Sequence, residues 1–354
     1  MKIPEKIDKN RLILGGIAAV CALALPSNSR LRTAAYAAAA LGVGSALTGR
    51  NTEDVADDLP QAPELVKSAM VNGILMRWEE HGSSEPDAIP VIMVHGIPTQ
   101  PRLWRYVIPQ LSQAGVRLLA WEQVGFGWSM EQGLDRDISV ARQADYLHDW
   151  LQHLGINEAV FVGHDVGGGV VQQLLVKHPQ LCRGLVLADC VAYDNWPVAA
   201  VRAAKKQTAV ISKLPPALLK PIFLTGLANL GHDQAGRRKA SAELHWQPYS
   251  RAVGPKAFAH QLDNMSSKDT EALAGKLSVI GGVKHVVWSD ADPLEFSTGQ
   301  RLAEELGAPL TRIPGGRHFS PEDHPDVIAR AITDVVTQVR DDKTEGIDTV
   351  NSDQ

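Results

Sequence analysis

Asp165 stands where a short apolar run meets a cluster of glycines, in the stretch FVGHDVGGGV at residues 161–170. The pattern predicts a sharp strand-to-helix elbow. Small residues at Gly163 and Gly167 permit the turn, and the elbow holds the residue at 165 up at the sheet edge. The following helix points its N-terminus at that side chain, which favours an anion. A plain helix N-cap is the other reading of an Asp at such a place. As a nucleophile a carboxylate is selective. It attacks amides and esters poorly, because the product would be a high-energy anhydride. It can attack a saturated carbon that carries a leaving group or a strained ring oxygen, leaving an alkyl ester on the protein. Water must then cleave the ester, which calls for a general base nearby and a second carboxylate to hold that base.

His318 is the candidate base among the 12 histidines. It follows a predicted strand and the flexible Gly315-Gly316 pair, so it can reach over a sheet edge; a surface loop histidine is the plainer alternative. The stretch WSDADPL at 288–294 offers two carboxylates at the end of another strand, Asp290 and Asp292. Asp290 also suits a purely turn-shaping role.

Such residues need a scaffold that brings distant strand ends together. Residues 66–82 read as two strands joined at Asn72-Gly73, a strong hairpin signal. IPVIMVHG (89–96) is a continuous apolar strand of the kind buried on both faces. Helical periodicity follows over 101–114, then a strand at 116–121 and an amphipathic helix over 138–155 that stops at Gly155. Strands are expected at EAVFVGH, CRGLVLADC, KHVVWSD and PLTRIPG, with helices at GGVVQQLLVKHP and over 324–342. This alternation implies a mostly parallel sheet covered by helices on both faces. The core is expected to comprise 66–193 and 278–340. Between them, 194–277 reads as an all-helical insertion, placed as a lid over the carboxyl ends of the strands, where open α/β sheets bind ligands. The polar tail 341–354 is expected to be disordered.

The composition is that of an ordinary globular chain of 354 residues, with 44% hydrophobic and 21% charged residues. A net charge of -5 and a pI near 6.2 give no support for a nucleic-acid partner. The three cysteines, Cys21, Cys182 and Cys190, have no metal-ligand spacing and are not expected to form a disulfide framework. Residues 1–50 differ from the rest. The runs 12–25 and 33–48 are uncharged and separated by a turn with two arginines. Three readings stay open. One is an apolar helical hairpin anchored in a membrane, although each run is shorter than the roughly 20 residues a spanning helix prefers. Another is a signal peptide with Ala22-Leu23-Ala24 as its cleavage site. The third is an Ala-rich helical hairpin packed on the domain. Membrane association through 12–48 is thus expected, with secreted or cytoplasmic placement as alternatives. Residues 51–65, acidic and proline-containing, suit a linker.

Taken in order, His95-Gly96-Ile97-Pro98, Gly125-Phe126-Gly127-Trp128-Ser129, Gly163-His164-Asp165-Val166-Gly167-Gly168, Asp292-Pro293 and His318-Phe319 followed by Glu322-Asp323 resemble the α/β-hydrolase superfamily over residues 66–340. Within it the chain is similar to the Asp-nucleophile branch of epoxide hydrolases and haloalkane dehalogenases. The resemblance implies Asp165 as nucleophile, His318 as base and Asp292 as its acid, with Asp189 as the alternative acid at the end of an earlier strand. It implies an oxyanion hole from the backbone N–H groups of Ile97 and Val166, a cis bond before Pro98, and scaffolding roles for His95 and His164, the latter pointing away from the nucleophile. It implies a small-molecule substrate and no metal or organic cofactor. Two positions depart from the family. Haloalkane dehalogenases place Trp after the nucleophile and often Asn in the HGxP loop to hold halide, where this chain has Val166 and Ile97; Trp196 and Trp246 are the candidates to substitute. Epoxide hydrolases also commonly carry Trp after the nucleophile, and they use lid tyrosines as ring-opening acids, a role for which Tyr193 and Tyr249 are the candidates. Glu122 is expected to brace its loop.

Overall fold

A computed structural model describes residues 66–227 and 231–352. The apolar runs at 12–48 and the linker at 51–65 lie outside the described residues. Among the described residues no helix is long and apolar enough to cross a membrane.

Eight strands form one sheet: β1 (Val66–Val71), β2 (Ile74–Gly82), β3 (Ile89–Val94), β4 (Val116–Glu122), β5 (Ala159–Asp165), β6 (Cys182–Cys190), β7 (Val283–Ser289) and β8 (Leu310–Ile313). Their order is β1-β2-β4-β3-β5-β6-β7-β8. β1 and β2 pair antiparallel with each other and β2 with β4, and every pair from β4 to β8 is parallel. The hairpin turns at Asn72 and Gly73, whose φ values of 48° and 77° are those a two-residue turn of this hand requires. All seven residues of β5 are buried, as befits a central strand with helices on its faces.

The longer helices are α1 (Val140–His153), α2 (Val166–Lys177), α3 (Pro216–Gly226), α4 (Arg238–Trp246), α5 (Gly254–Asn264), α6 (Phe296–Leu306) and α7 (Pro325–Ser352). α1 starts where Ser139 Oγ accepts the Arg142 N–H, and the chain leaves it through Gly155 at φ 67°. Its Val140, Ala144, Leu147 and Leu151 are buried on one face. Trp150 on that helix meets Trp78 of β2 edge-on at 5.5 Å.

Two expectations on helices change. The periodic stretch 101–114 is no single helix but short turns at Pro101–Trp104, Ile108–Leu111 and Ser112–Ala114. Pro109 lacks an N–H and its ring crowds the preceding turn, so it stands in the first turn of a new helix rather than continuing one from residue 101. The closing helix, expected to end at 342 before a disordered tail, runs to Ser352. Residues 341–352 contain no proline and only Gly346 as a breaker, so nothing local stops the backbone.

The chain divides into two compact units, one of which includes Ala199–Asp263 and the other the sheet. The first is helical throughout its described residues. Its core is aromatic: the Phe223 ring lies 5.3 Å from Trp246 and 4.8 Å from Tyr249. This unit is shorter than the expected 194–277, because both flanks are stitched to the sheet unit. Trp196 Nε1 donates to Thr270 Oγ1 at 2.8 Å, and Asp269 Oδ2 accepts the Ala141 N–H at 3.0 Å.

Candidate active site

Asp165 is the last residue of β5 and holds φ 51° and ψ −129°, a strained conformation for any residue with a side chain. Packing against the neighbouring strand enforces it. A Cβ on Gly167 would fall 2.3 Å from the Val94 carbonyl oxygen, so only glycine lets α2 start this close to β3. The elbow is further pinned by the Val191 N–H, which donates to the Asp165 carbonyl at 3.1 Å.

The two oxygens of the Asp165 carboxylate have different surroundings. Oδ2 accepts the Ile97 N–H at 2.8 Å. Oδ1 faces His318 Nε2 at 3.8 Å, beyond hydrogen-bond reach. The loop carrying Ile97 turns through a cis Ile97-Pro98 bond. Val166 is the first residue of α2, so its N–H is one of the amides that find no carbonyl within the helix. One oxygen is therefore fixed by backbone and the other is presented to the imidazole.

His318 lies five residues beyond β8, and its Nδ1 meets Asp292 Oδ2 at 2.8 Å. Asp292 in turn is fixed by its own turn, accepting the Leu294 N–H at 2.5 Å through Oδ1. Burial alone would disfavour the charged imidazole, but the Asp292 and Asp165 carboxylates outweigh it and hold His318 well above the ordinary histidine range.

The three carboxylates at neighbouring strand ends have separate partners. Asp292 is on the imidazole. Asp290 accepts from Arg312 Nε and from the Gly315 N–H, both at 2.7 Å, and so shapes the turn before His318. Asp189 is the penultimate residue of β6, at φ 39°, and accepts the Ser289 N–H at 2.6 Å and the Ser289 hydroxyl at 2.9 Å. Complete burial, reinforced by the charge of Asp292, pushes its pKa up to about 8.

The tyrosines are distributed differently. The Tyr193 hydroxyl donates to Glu305 Oε2 at 2.7 Å and the Arg301 guanidinium lies 3.7 Å from its ring centre. Burial and that carboxylate both push the phenol pKa up. Its proton is thus held by Glu305. Tyr249 belongs to the helical unit, is fully buried, and donates to Gln261 Oε1 at 2.8 Å. Of the indole donors, Trp196 is committed to Thr270.

Further contacts brace the loops around the site, and the first of them had no clear sequence signal. Arg105 Nη1 and Nη2 reach Glu322 Oε1 and Oε2 at 2.6 and 3.2 Å, tying the segment after the HGIP loop to the short helix Ser320–Asp323 that follows His318. His164 points away from Asp165, as its place in the strand implies, and its Nε2 meets the His318 carbonyl at 2.6 Å. Glu122 accepts the Trp128 N–H at 3.1 Å and the Ser129 hydroxyl at 2.6 Å, bracing the GFGWS loop.

The fold is matched outside the molecule. A family model described as the alpha/beta hydrolase fold matches residues 89–325. Bifunctional epoxide hydrolase 2 of Rattus norvegicus is 30% identical over 172 residues, which span 48% of this chain and 29% of that protein. Haloalkane dehalogenase 2 of Mycobacterium tuberculosis is 27% identical over 274 residues, 72% of this chain and 91% of that one. In structure, an alpha/beta hydrolase fold protein from Burkholderia ambifaria superposes with a TM-score of 0.64 at 23% identity, covering 76% of this chain and 97% of the other. The chain thus spans less than a third of the rat protein, while nearly the full length of the mycobacterial relative is covered. With the family model covering residues from β3 to the start of α7, the chain belongs to the α/β hydrolase fold family.

Proposed function

We propose that this protein is a hydrolase that opens epoxides through an alkyl ester on Asp165. The observation that carries the proposal is the asymmetry of that carboxylate, with Oδ2 anchored on the Ile97 N–H at 2.8 Å and Oδ1 facing an imidazole 3.8 Å away. A serine-type site needs its base in contact with the nucleophile to take a proton from it. A carboxylate has no proton to give, so a base set apart from it suits activation of water instead.

In the first step Oδ1 attacks an epoxide carbon and the ring C–O bond breaks. The ring oxygen takes up a proton from solvent; Tyr193 is a poor source, because Glu305 holds its proton and disfavours phenolate formation. Ester formation removes the Asp165 charge, one of the two that hold His318 protonated. The imidazole pKa therefore falls, its Nε2 proton leaves to solvent, and Nε2 becomes free to take a proton from water. The resulting hydroxide attacks Cγ of Asp165, and charge develops on Oδ2, where Ile97 N–H already donates and the Val166 N–H supplies the second dipole. The intermediate collapses with cleavage of the bond to the alkyl oxygen, which His318 protonates; the diol leaves, and the Asp165 acid gives its proton back to the imidazole.

Haloalkane dehalogenation is the second reading, favoured by the mycobacterial relative covered over 91% of its length. It shares every step after ester formation. Val166 and Ile97 offer no side-chain donor for a halide, which is why epoxides are preferred. His318→Gln tests both. After incubation with epoxides and with chloroalkanes, intact and peptide mass spectrometry should show an adduct on Asp165 that persists, and the wild type should yield diol. Adduct and halide release from chloroalkanes alone would replace the first reading with the second. The absence of any adduct, with turnover kept by Asp165→Asn, would overturn both.

A further inference from the structure

We infer that His164 is a positioning residue for the water-activating step: it fixes the backbone of His318 and so sets the distance between base and nucleophile. The inference rests on the alkyl-ester reading above for its kinetic consequence, but its geometry stands by itself.

His164 is 1% exposed, and its Nε2 lies 2.6 Å from the His318 carbonyl oxygen. A carbonyl only accepts, so Nε2 must carry a hydrogen. Nδ1 is buried with no hydrogen-bond partner among the described residues. A proton there would leave a charged ring in a site with nothing to stabilise it on that side. The ring is therefore neutral, with its single hydrogen on Nε2. Burial, and then the nearby His318 charge, press its pKa down to about 3, which agrees with that state. The ionisable groups around it are His318, Asp165 and Glu322, the last neutralised by Arg105.

The consequence follows from chain connectivity. His164 and Asp165 are consecutive residues of β5. His164 holds the main chain of the base, while Asp165 offers its Oδ1 to the side chain of the same residue. Asp292 fixes the imidazole at Nδ1. With main chain and ring both held, the 3.8 Å separation between Nε2 and Oδ1 is set through two adjacent residues rather than across the whole sheet. The His164 and His318 rings also lie 4.9 Å apart, so the first ring forms part of the floor beneath the second. Attack on the ester needs water aligned with both Nε2 and Cγ, whereas attack of Asp165 on substrate does not need the imidazole to take up a proton. Loss of the His164 donor should therefore slow hydrolysis and spare alkylation.

The test uses the full-length protein. Nitrogen-15 imidazole NMR of the wild type should show His164 neutral and protonated at Nε2 from about pH 5 to about pH 9. A hydrogen on Nδ1, or titration within that range, would overturn the inference whatever the substrate proves to be. Single-turnover mass spectrometry then follows the Asp165 ester with an epoxide in two variants. His164→Phe keeps a ring and removes the donor; His164→Gln keeps a donor. In the Phe variant alkylation should stay within about threefold of wild type, while ester hydrolysis slows by about 10- to 100-fold. Gln should recover most of that loss. Equal slowing of both steps, or an unaffected Phe variant, would refute the positioning role. Should the Phe variant not fold, the NMR tautomer and the Gln rates still decide. A wild-type protein whose His318→Gln form traps no ester would defeat the catalytic reading and leave the tautomer result to judge the His164 geometry.

Discussion

Glu322→Gln tests whether the Arg105–Glu322 pair secures the loop that carries His318. Both side chains are out of solvent, at 2% and 0% exposure, and the bond is bidentate at 2.6 and 3.2 Å. Arg105 Nη1 also donates to the Arg102 carbonyl at 3.0 Å. Charges about 4 Å apart attract by about 4 kcal/mol at an effective dielectric constant of about 20. Gln removes that attraction and leaves a buried guanidinium without its counter-charge, which costs about 3–5 kcal/mol. For a domain of this size that corresponds to a fall in Tm of roughly 2–4 °C per kcal/mol. Replacing both partners by apolar residues, Arg105→Met with Glu322→Leu, removes the orphaned charge as well and should cost much less than the two single losses added together. Guanidinium denaturation of the wild type, Glu322→Gln, Arg105→Met and the double variant gives the cycle. A Glu322→Gln cost below about 1 kcal/mol, or strict additivity of the single variants, would show that the pair is no more than a surface-like contact and would remove it as an anchor of the His318 loop.

Three further outcomes are expected. Gly96→Ala would place a Cβ 2.3 Å from Asp165 Oδ2 and 2.4 Å from its Cβ, forcing the loop and the elbow apart, and should abolish ester formation and lower the Tm, read by mass spectrometry beside circular dichroism. Asp292→Asn and Asp189→Asn should separate the two buried acids: the first should lower ester hydrolysis by about 10³–10⁴-fold, and the second, which keeps both Ser289 contacts, should change it by less than about threefold at pH 7. Glu122 is fully buried and burial pushes its pKa up to about 7 against an ordinary value of 4.5, so the folded state binds more protons than the unfolded between those values and loses stability as pH rises through that window. Glu122→Gln, able to keep the Trp128 and Ser129 contacts, should remove about 3 kcal/mol of that loss, seen as a flatter Tm profile from about pH 4.5 to about pH 7; an unchanged profile would show that Glu122 is not the group responsible.

Much of this fold was legible locally. The Asn72-Gly73 turn, the doubly buried runs of β3 and β5, and the small residues around 165 each carry their signal within a few residues, because backbone conformation and face burial are decided by near neighbours. The same holds for Asp165 itself, since only the elbow's strained φ of 51° and its glycines raise a side chain there. The stretch 101–114 misled because apolar periodicity is counted without asking whether Pro109 can continue the ladder.

What the amino-acid sequence determined by itself was a set of chemically competent residues and the strands on whose ends they sit. It could not sort them. Asp189, Asp290 and Asp292 carry the same local signature of an acid at a strand end, and only the side-by-side placement of β6 and β7 and the course of their loops put one of them 2.8 Å from His318 and tied the others to Ser289, Arg312 and Gly315. Tyr193 looked free to donate until the fold brought Glu305, 112 residues away, to its hydroxyl. Arg105 and Glu322, 217 residues apart, and His164 and the His318 carbonyl, 154 apart, gave no pattern that a reader of either segment could have paired. Hydrogen bonds and ion pairs act over a few ångströms of space, and distance along the chain says nothing about them until the sheet has been assembled.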